Sequence, residues 1–151
     1  METLLKPGDE APDFILTTHD GRPFRLSSMR GRRLLLWFYP EADTPGCTLE
    51  GCSLRDQSNY YAENDIAIVG ISCDDVERNA AFAAKYQFGF PLLSDNGREV
   101  GIAYGACAGH KARHADRISY LIGAEGRIER VYRQVDPRDH AAQVLIDALG
   151  L

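Results

Sequence analysis

The sequence is short of cysteine, of basic charge and of long apolar runs, and each shortage excludes a class of protein. Four cysteines in 151 residues fall well below the ~8–10% density of a disulfide scaffold. In a reducing compartment, cysteines this sparse are catalytic, metal-binding or buried rather than structurally paired. Lys and Arg number 17 against 22 Asp and Glu, a net charge of −5, and no basic run exceeds Arg30-Gly31-Arg32-Arg33. A general nucleic-acid binder needs a basic patch or excess, so that class is set aside. The longest strongly apolar stretch, Leu34 to Tyr39, is far short of the ~20 residues of a membrane span. Met1 to Pro7 lacks the basic and apolar regions of a signal peptide, so the expected compartment is the cytoplasm.

What is present suits an ordinary folded domain. Hydrophobic residues make up 44% and charged residues 26%, close to the globular average, which argues against disorder. The length fits one domain over 1–151, long enough to bury about 68–70% of its unfolded surface. No repeat, low-complexity tract or linker divides it.

The turn signals order the elements. Phe14 to Thr17 and Pro23 to Leu26, around Asp20-Gly21, predict an N-terminal β-hairpin. Ser27 and Ser28 are candidate caps for one short helical turn. Leu34 to Tyr39 predicts a buried central strand, being too short for an ordinary helix. A loop from Pro40 to Gly46 then leads into a helix over Cys47 to Asn64, with Pro45 near the position proline prefers. Ile66 to Ser72 predicts a second buried strand. Asp74 or Asp75 caps a helix from Val76 to Tyr86. Pro91 to Leu93 is a short strand and Glu99 to Tyr104 a short helix. Ile118 to Ile122 and Arg127 to Tyr132 form a hairpin, and Asp136-Pro137 opens a last helix. This order predicts an α/β fold, a mixed central sheet with helices on both faces. A thioredoxin-like sandwich has this order, but fold alone does not give function.

Pro40-Glu41-Ala42-Asp43-Thr44-Pro45-Gly46-Cys47-Thr48-Leu49-Glu50-Gly51-Cys52 is the segment that carries chemistry. It spans the end of a central strand and the start of a helix, where α/β sheets bind ligands. Cys47 is placed in the first helical turn. Unpaired N–H groups and the positive end of the helix dipole favour a thiolate there, in an exposed and electropositive place. The same N–H groups can hold an oxyanion or a polarised peroxide oxygen. The Thr44 hydroxyl, three residues earlier, can turn into the same pocket. Cys52 follows five residues after Cys47. On an ideal helix their Cα atoms are roughly 8–9 Å apart, whereas a disulfide needs less than about 7 Å. A bond between them therefore requires local unwinding, and the spacing argues against a Cys-x-x-Cys oxidoreductase.

These residues carry a resemblance. Pro40 with Thr44-Pro45-Gly46-Cys47-Thr48 is similar to the Pro-x-x-x-Thr-x-x-Cys motif of peroxiredoxins. The Cys47/Cys52 spacing resembles the subgroup called bacterioferritin comigratory protein, or PrxQ. Gly8 to Phe14, Phe90 to Asp95 and Arg117 to Ile122 resemble further family stretches, so the likeness spans nearly the whole chain. It implies a thioredoxin-like fold and a thiol peroxidase needing no metal or organic cofactor. It implies Cys47 as the peroxidatic cysteine and Cys52 as the resolving one. Thr44 and Arg117 would position the peroxide and stabilise the thiolate, and Pro40 would shield the pocket. The implied partners are a peroxide and thioredoxin or a similar dithiol, with no nucleic acid or membrane. A resolver on the same helix removes the need for a second subunit, so a monomer is expected.

Two positions depart from the family pattern. Cys73 lies where the family often has proline, and Cys107 lies in a loop shorter and smaller-sided than usual. Both read as ordinary non-catalytic cysteines, and a Cys107 near the pocket would put Cys52 as resolver in doubt. Two other classes remain open on the residues: a redox-sensing interaction protein oxidised at Cys47, and a metal module using Cys47, Cys52 and a histidine. His19, His110, His114 and His140 are scattered. His110 and His114 are four apart, but without a zincin glutamate between them they read as surface residues.

Overall fold

The apolar run after Arg33 is buried on both sides, and the rest of the chain is arranged around it. The computed structural model describes residues 4–151. Its strands are β1 (Ile15–Thr18), β2 (Pro23–Arg25), β3 (Arg33–Phe38), β4 (Ile66–Ser72), β5 (Leu92–Ser94), β6 (Ile118–Ile122) and β7 (Ile128–Tyr132). The helices are α1 (Pro45–Glu63), α2 (Val76–Tyr86), α3 (Glu99–Ala103) and α4 (His140–Leu149). The sheet runs β2-β1-β5-β4-β3-β6-β7. β3 pairs in parallel with β4 and antiparallel with β6. The N-terminal hairpin extends the same sheet, because β1 pairs with β5.

Alternation along β3 feeds two cores. Leu35, Trp37 and Tyr39 pack with Leu54 and Tyr61 of α1, Phe82 of α2, and Val144 of α4. Leu34, Leu36 and Phe38 pack on the other side with Leu26, Val100 of α3 and Tyr104. Each such side chain contributes about 1.5–3 kcal/mol when fully buried. That double burial is why this segment reads as an unbroken apolar run rather than an alternating one.

Two helix starts, those of α1 and α4, differ from the sequence reading, while α2 spans Val76–Tyr86 as expected. α1 begins at Pro45, two residues before the expected start, with Thr44 extended at its N-cap position. Of the two cap candidates for α2, Asp75 accepts from the Arg78 N–H at 2.8 Å. Asp74 instead accepts from the Ala42 N–H and the Ser72 hydroxyl, both at 2.8 Å. α4 starts at His140, because the Asp136-Pro137 segment makes only turns, with the Asp136 carbonyl accepting from the His140 N–H. Ser27 and Ser28 lie inside a single 3-10 turn over Leu26–Met29, which has no side-chain cap.

Candidate active site

β3 delivers the chain to the loop that opens the site. Its last backbone link to β4 is the Tyr39 N–H donated to the Ile71 carbonyl at 3.0 Å. The loop then turns through Asp43, whose φ of 61° is left-handed. The Asp43 carboxylate is held by Lys85 at 3.0 Å and by the Tyr86 hydroxyl at 2.9 Å, which fixes the strained turn to the end of α2. Pro45 then starts α1 with its φ already suited to a helix. The first-turn N–H groups of Gly46 and Cys47 have no acceptor within the helix. The Thr48 N–H is the first to find one, the Thr44 carbonyl at 2.8 Å.

Cys47 lies in this first turn as expected, but it is 0% exposed and packed in the core with Leu35 and Tyr39. The expectation of an exposed position is corrected. The side chain of Arg117 lies over the helix start, with Pro137 beside it. The Arg117 Nη2 group stands 3.5 Å from the Cys47 sulfur. Its Nη1 donates to Glu50 Oε1 at 2.8 Å. Gly46 permits this approach: a Cβ there would lie 2.8 Å from Arg117 Nη2. A residue seventy positions away in the chain thus reaches the sulfur over a glycine.

Glu50 is the partner that the sequence reading missed. It lies three residues after Cys47, on the same helical face, and is fully buried. Burial pushes its carboxyl up to about 7, against the opposing hydrogen bond and charge of Arg117. Its Oε2 has no hydrogen-bond partner and faces His140 Nε2 at 4.0 Å. His140, one of four histidines scattered in the sequence, is buried. Its Nε2 lies 2.9 Å from Ser119 Oγ. Burial, and then the nearby Arg117 charge, lower its imidazole to about 4. A neutral histidine therefore backs the carboxyl that braces the arginine.

The other expected site residues are placed less directly. The Thr44 hydroxyl donates to the Glu41 carbonyl at 2.7 Å rather than to the Cys47 sulfur. Its oxygen keeps lone pairs free to accept. Pro40 is half-buried and lines a cavity with Cys73 and Arg78, of which Cys47 is not a lining residue. Cys52 is half-buried, packed against the Cys47 side of the sheet, and opens onto a groove beside Pro45 and Tyr86. All four cysteines are free thiols. Among the described residues no three His, Cys, Asp or Glu side chains gather as metal ligands would. No helix among them is long and apolar enough to cross a membrane.

A strand-to-helix cysteine held against a braced guanidinium is suited to thiolate chemistry. The AhpC/TSA family model matches residues 7–131. The chain is 38% identical to peroxiredoxin Bcp of Escherichia coli, covering 93% of this chain and 94% of that protein. The crystal structure of peroxidoxin BcpB from Mycobacterium tuberculosis superposes with a TM-score of 0.90 at 34% identity, covering 97% and 98% of the two chains. The bacterioferritin comigratory protein of Xanthomonas campestris, described for its alkyl peroxide reduction activity, gives a TM-score of 0.88 at 28% identity over 96% and 98%. The fold is thioredoxin-like, as the sequence resemblance implied. The chain belongs to the AhpC/TSA family, in its Bcp/PrxQ group of peroxiredoxins, and is a thiol peroxidase.

Proposed function

We propose that Cys47 is the peroxidatic nucleophile of a two-cysteine cycle completed by Cys52. The observation that carries this reading is the Arg117 Nη2 group 3.5 Å from the Cys47 sulfur. A fixed cation there faces the charge of the attacking thiolate and, later, the developing charge on the peroxide oxygens. The free N–H groups at the start of α1 face the same place. The Thr44 oxygen supplies an acceptor for the peroxide proton. Pro40 shields the approach.

The Cys47 thiolate attacks the terminal oxygen of the hydroperoxide. The O–O bond breaks, and the leaving oxygen takes a proton and departs as water or alcohol. Cys47 is left as a sulfenic acid. The Cys52 thiol then attacks that sulfur, water leaves, and an intramolecular disulfide forms. Gly46 and Gly51 flank this stretch of α1, and a glycine within a helix costs about 0.5–1 kcal/mol relative to alanine. The segment is thereby suited to the unwinding that an i, i+5 disulfide demands. An external dithiol, thioredoxin or a similar protein, reduces the disulfide by exchange. Hydrogen peroxide and organic hydroperoxides are the proposed substrates. The alkyl peroxide reduction described for the Xanthomonas campestris relative supports the second class. The cycle needs no cofactor and no second subunit. We place the enzyme in the cytoplasm as a monomer of one domain over 1–151, serving antioxidant defence.

Turnover with hydrogen peroxide, thioredoxin, its reductase and NADPH tests the reading. Activity lost in Cys47→Ser supports it, whereas oxidation of the protein without turnover points to a sensor. One equivalent of peroxide should remove two hydrogens from the wild type and add one oxygen to Cys52→Ser. A disulfide between Cys47 and any other cysteine in Cys52→Ser, located by peptide mapping, overturns Cys52 as resolver.

A further inference from the structure

The two cysteines that the sequence reading set aside touch each other. Cys73 and Cys107 are 34 residues apart, and their sulfurs are separated by 3.9 Å. Cys73 directly follows β4, and Cys107 lies in the loop after α3. The Cys107 loop is fixed, because the Gly101 carbonyl accepts from the N–H groups of Ala106 at 2.7 Å and Cys107 at 3.1 Å. Gly101 also makes room for the sulfur, since a Cβ there would lie 2.5 Å from Cys107 Sγ.

The pair is chemically asymmetric. Cys107 is 4% exposed, whereas Cys73 is half-buried. Cys73 lines a cavity of about 460 Å³ with Pro40, Arg78, Arg113 and His114. The contact with the Cys107 sulfur, helped by the charge of Arg98, holds the Cys73 thiol below its ordinary range against the opposing effect of burial. The same contact, and then burial, push the Cys107 thiol up. Cys73 is the sulfur that opens onto the cavity, so it is the one a peroxide reaches and the nucleophile of the pair.

We propose that Cys73 and Cys107 form a second redox-active dithiol, separate from Cys47 and Cys52, which hydroperoxide oxidises to an intramolecular disulfide. The Cys73 thiolate attacks the terminal oxygen of the hydroperoxide, and the O–O bond breaks. The leaving oxygen takes a proton from solvent and departs as alcohol or water. The Cys107 thiol condenses with the resulting Cys73 sulfenic acid, and water leaves. Two thiols and one hydroperoxide thus become one disulfide, one alcohol or water, and one water. Closure to a bond of about 2.05 Å moves the sulfurs together by about 1.9 Å from their 3.9 Å contact. No helix unwinds, because both residues lie outside helices. The product ties the turn after β4, where Asp74 holds the Ala42 N–H of the loop before α1, to the loop after α3.

The inference rests on the family's peroxide chemistry and not on the roles given to Cys47 and Cys52, so the test removes both. A Cys47→Ser/Cys52→Ser variant is treated with hydrogen peroxide, alkylated with iodoacetamide and digested with trypsin. Loss of two hydrogens is expected, together with a linked pair of peptides covering residues 56–78 and 99–111, separated by dithiothreitol. Adding Cys107→Ser should leave one oxygen on Cys73 instead. Alkylation of both thiols after treatment, or sulfinic acid at Cys73 with Cys107 alkylated, overturns the proposal. Should the double variant fail to fold, the same linked peptides are sought in peroxide-treated wild type, and their absence has the same force. Cys73→Ser/Cys107→Ser should keep peroxidase turnover within about twofold. A large loss there would make the pair part of the main cycle and overturn its separateness, while the failure of Cys47→Ser to abolish turnover would strike only the proposed function.

Discussion

Glu50 Oε1 accepts a 2.8 Å hydrogen bond from Arg117 Nη1 while Arg117 Nη2 faces the Cys47 sulfur at 3.5 Å. One guanidinium thus spans an acceptor that aims it and a sulfur that needs it. Lysine has a single ammonium and cannot span both. Arg117→Lys should therefore lower kcat/KM for peroxide by about 100-fold, the scale seen when one preorganised electrostatic donor is lost. Stopped-flow oxidation of the reduced enzyme measures this directly. A rate within threefold of wild type would show that charge alone, without the fork, is enough.

Gly46 offers a way to separate stability from reactivity. Alanine favours a helix over glycine by about 0.5–1 kcal/mol, and Gly46 is helical. Yet a Cβ there would press on Arg117 Nη2 from 2.8 Å. Gly46→Ala should keep or raise the melting temperature while slowing the peroxide step about tenfold or more. Gly109→Ala is the control, because nothing lies within 4 Å of its added carbon. A rate unchanged in Gly46→Ala would mean that Arg117 can retreat without cost.

The sequence shows where the candidate cysteine lies and little of what surrounds it. β3 and α1 are legible because an apolar run and a Pro-Gly helix start are local signals. Arg117 lies seventy residues from Cys47, so only the family resemblance joins them. Glu50 reads as one more helical charge, although its three-residue step from Cys47 was a usable clue. The burial of His140 follows from the packing of α4 against α1, which no spacing reveals. Cys73 and Cys107 meet between a strand end and a loop, where no periodicity operates. The burial of Cys47 is equally illegible, since a helix start is open only until another segment covers it.

The buried carboxyl and the buried imidazole give the fold opposing responses to pH. Burial raises Glu50 from an ordinary 4.5 to about 7. The folded state therefore holds this proton more tightly than the unfolded chain, and the stabilisation is lost as pH rises from 4.5 through 7. The loss is on the order of 3 kcal/mol. His140 is lowered from 6.5 to about 4, so its contribution is present above 6.5 and lost as pH falls through 4. Across the shared window the two slopes oppose each other. Glu50→Gln removes one, so its stability relative to wild type should improve steadily between pH 4.5 and 7.5. Urea unfolding at several pH values checks this. A constant difference would mean that Arg117 keeps Glu50 ionised throughout.

The i, i+5 spacing makes the state of α1 a readout of the cycle. An intact helix separates the Cys47 and Cys52 Cα atoms by roughly 8–9 Å, beyond the ~7 Å that a disulfide tolerates. In the proposed cycle, closing the Cys47–Cys52 disulfide must therefore break the first turns of α1, and with them the Glu50 brace on Arg117. Amides over residues 47–55 should exchange about tenfold or more faster in the disulfide form than in the reduced form. β3 and β4, held by the two cores on either side of the sheet, should keep their protection, which separates local unwinding from general loosening. Equal exchange over α1 in the two forms would mean that the helix survives oxidation. Cys52 could not then be the partner of Cys47, whatever the turnover assay reports.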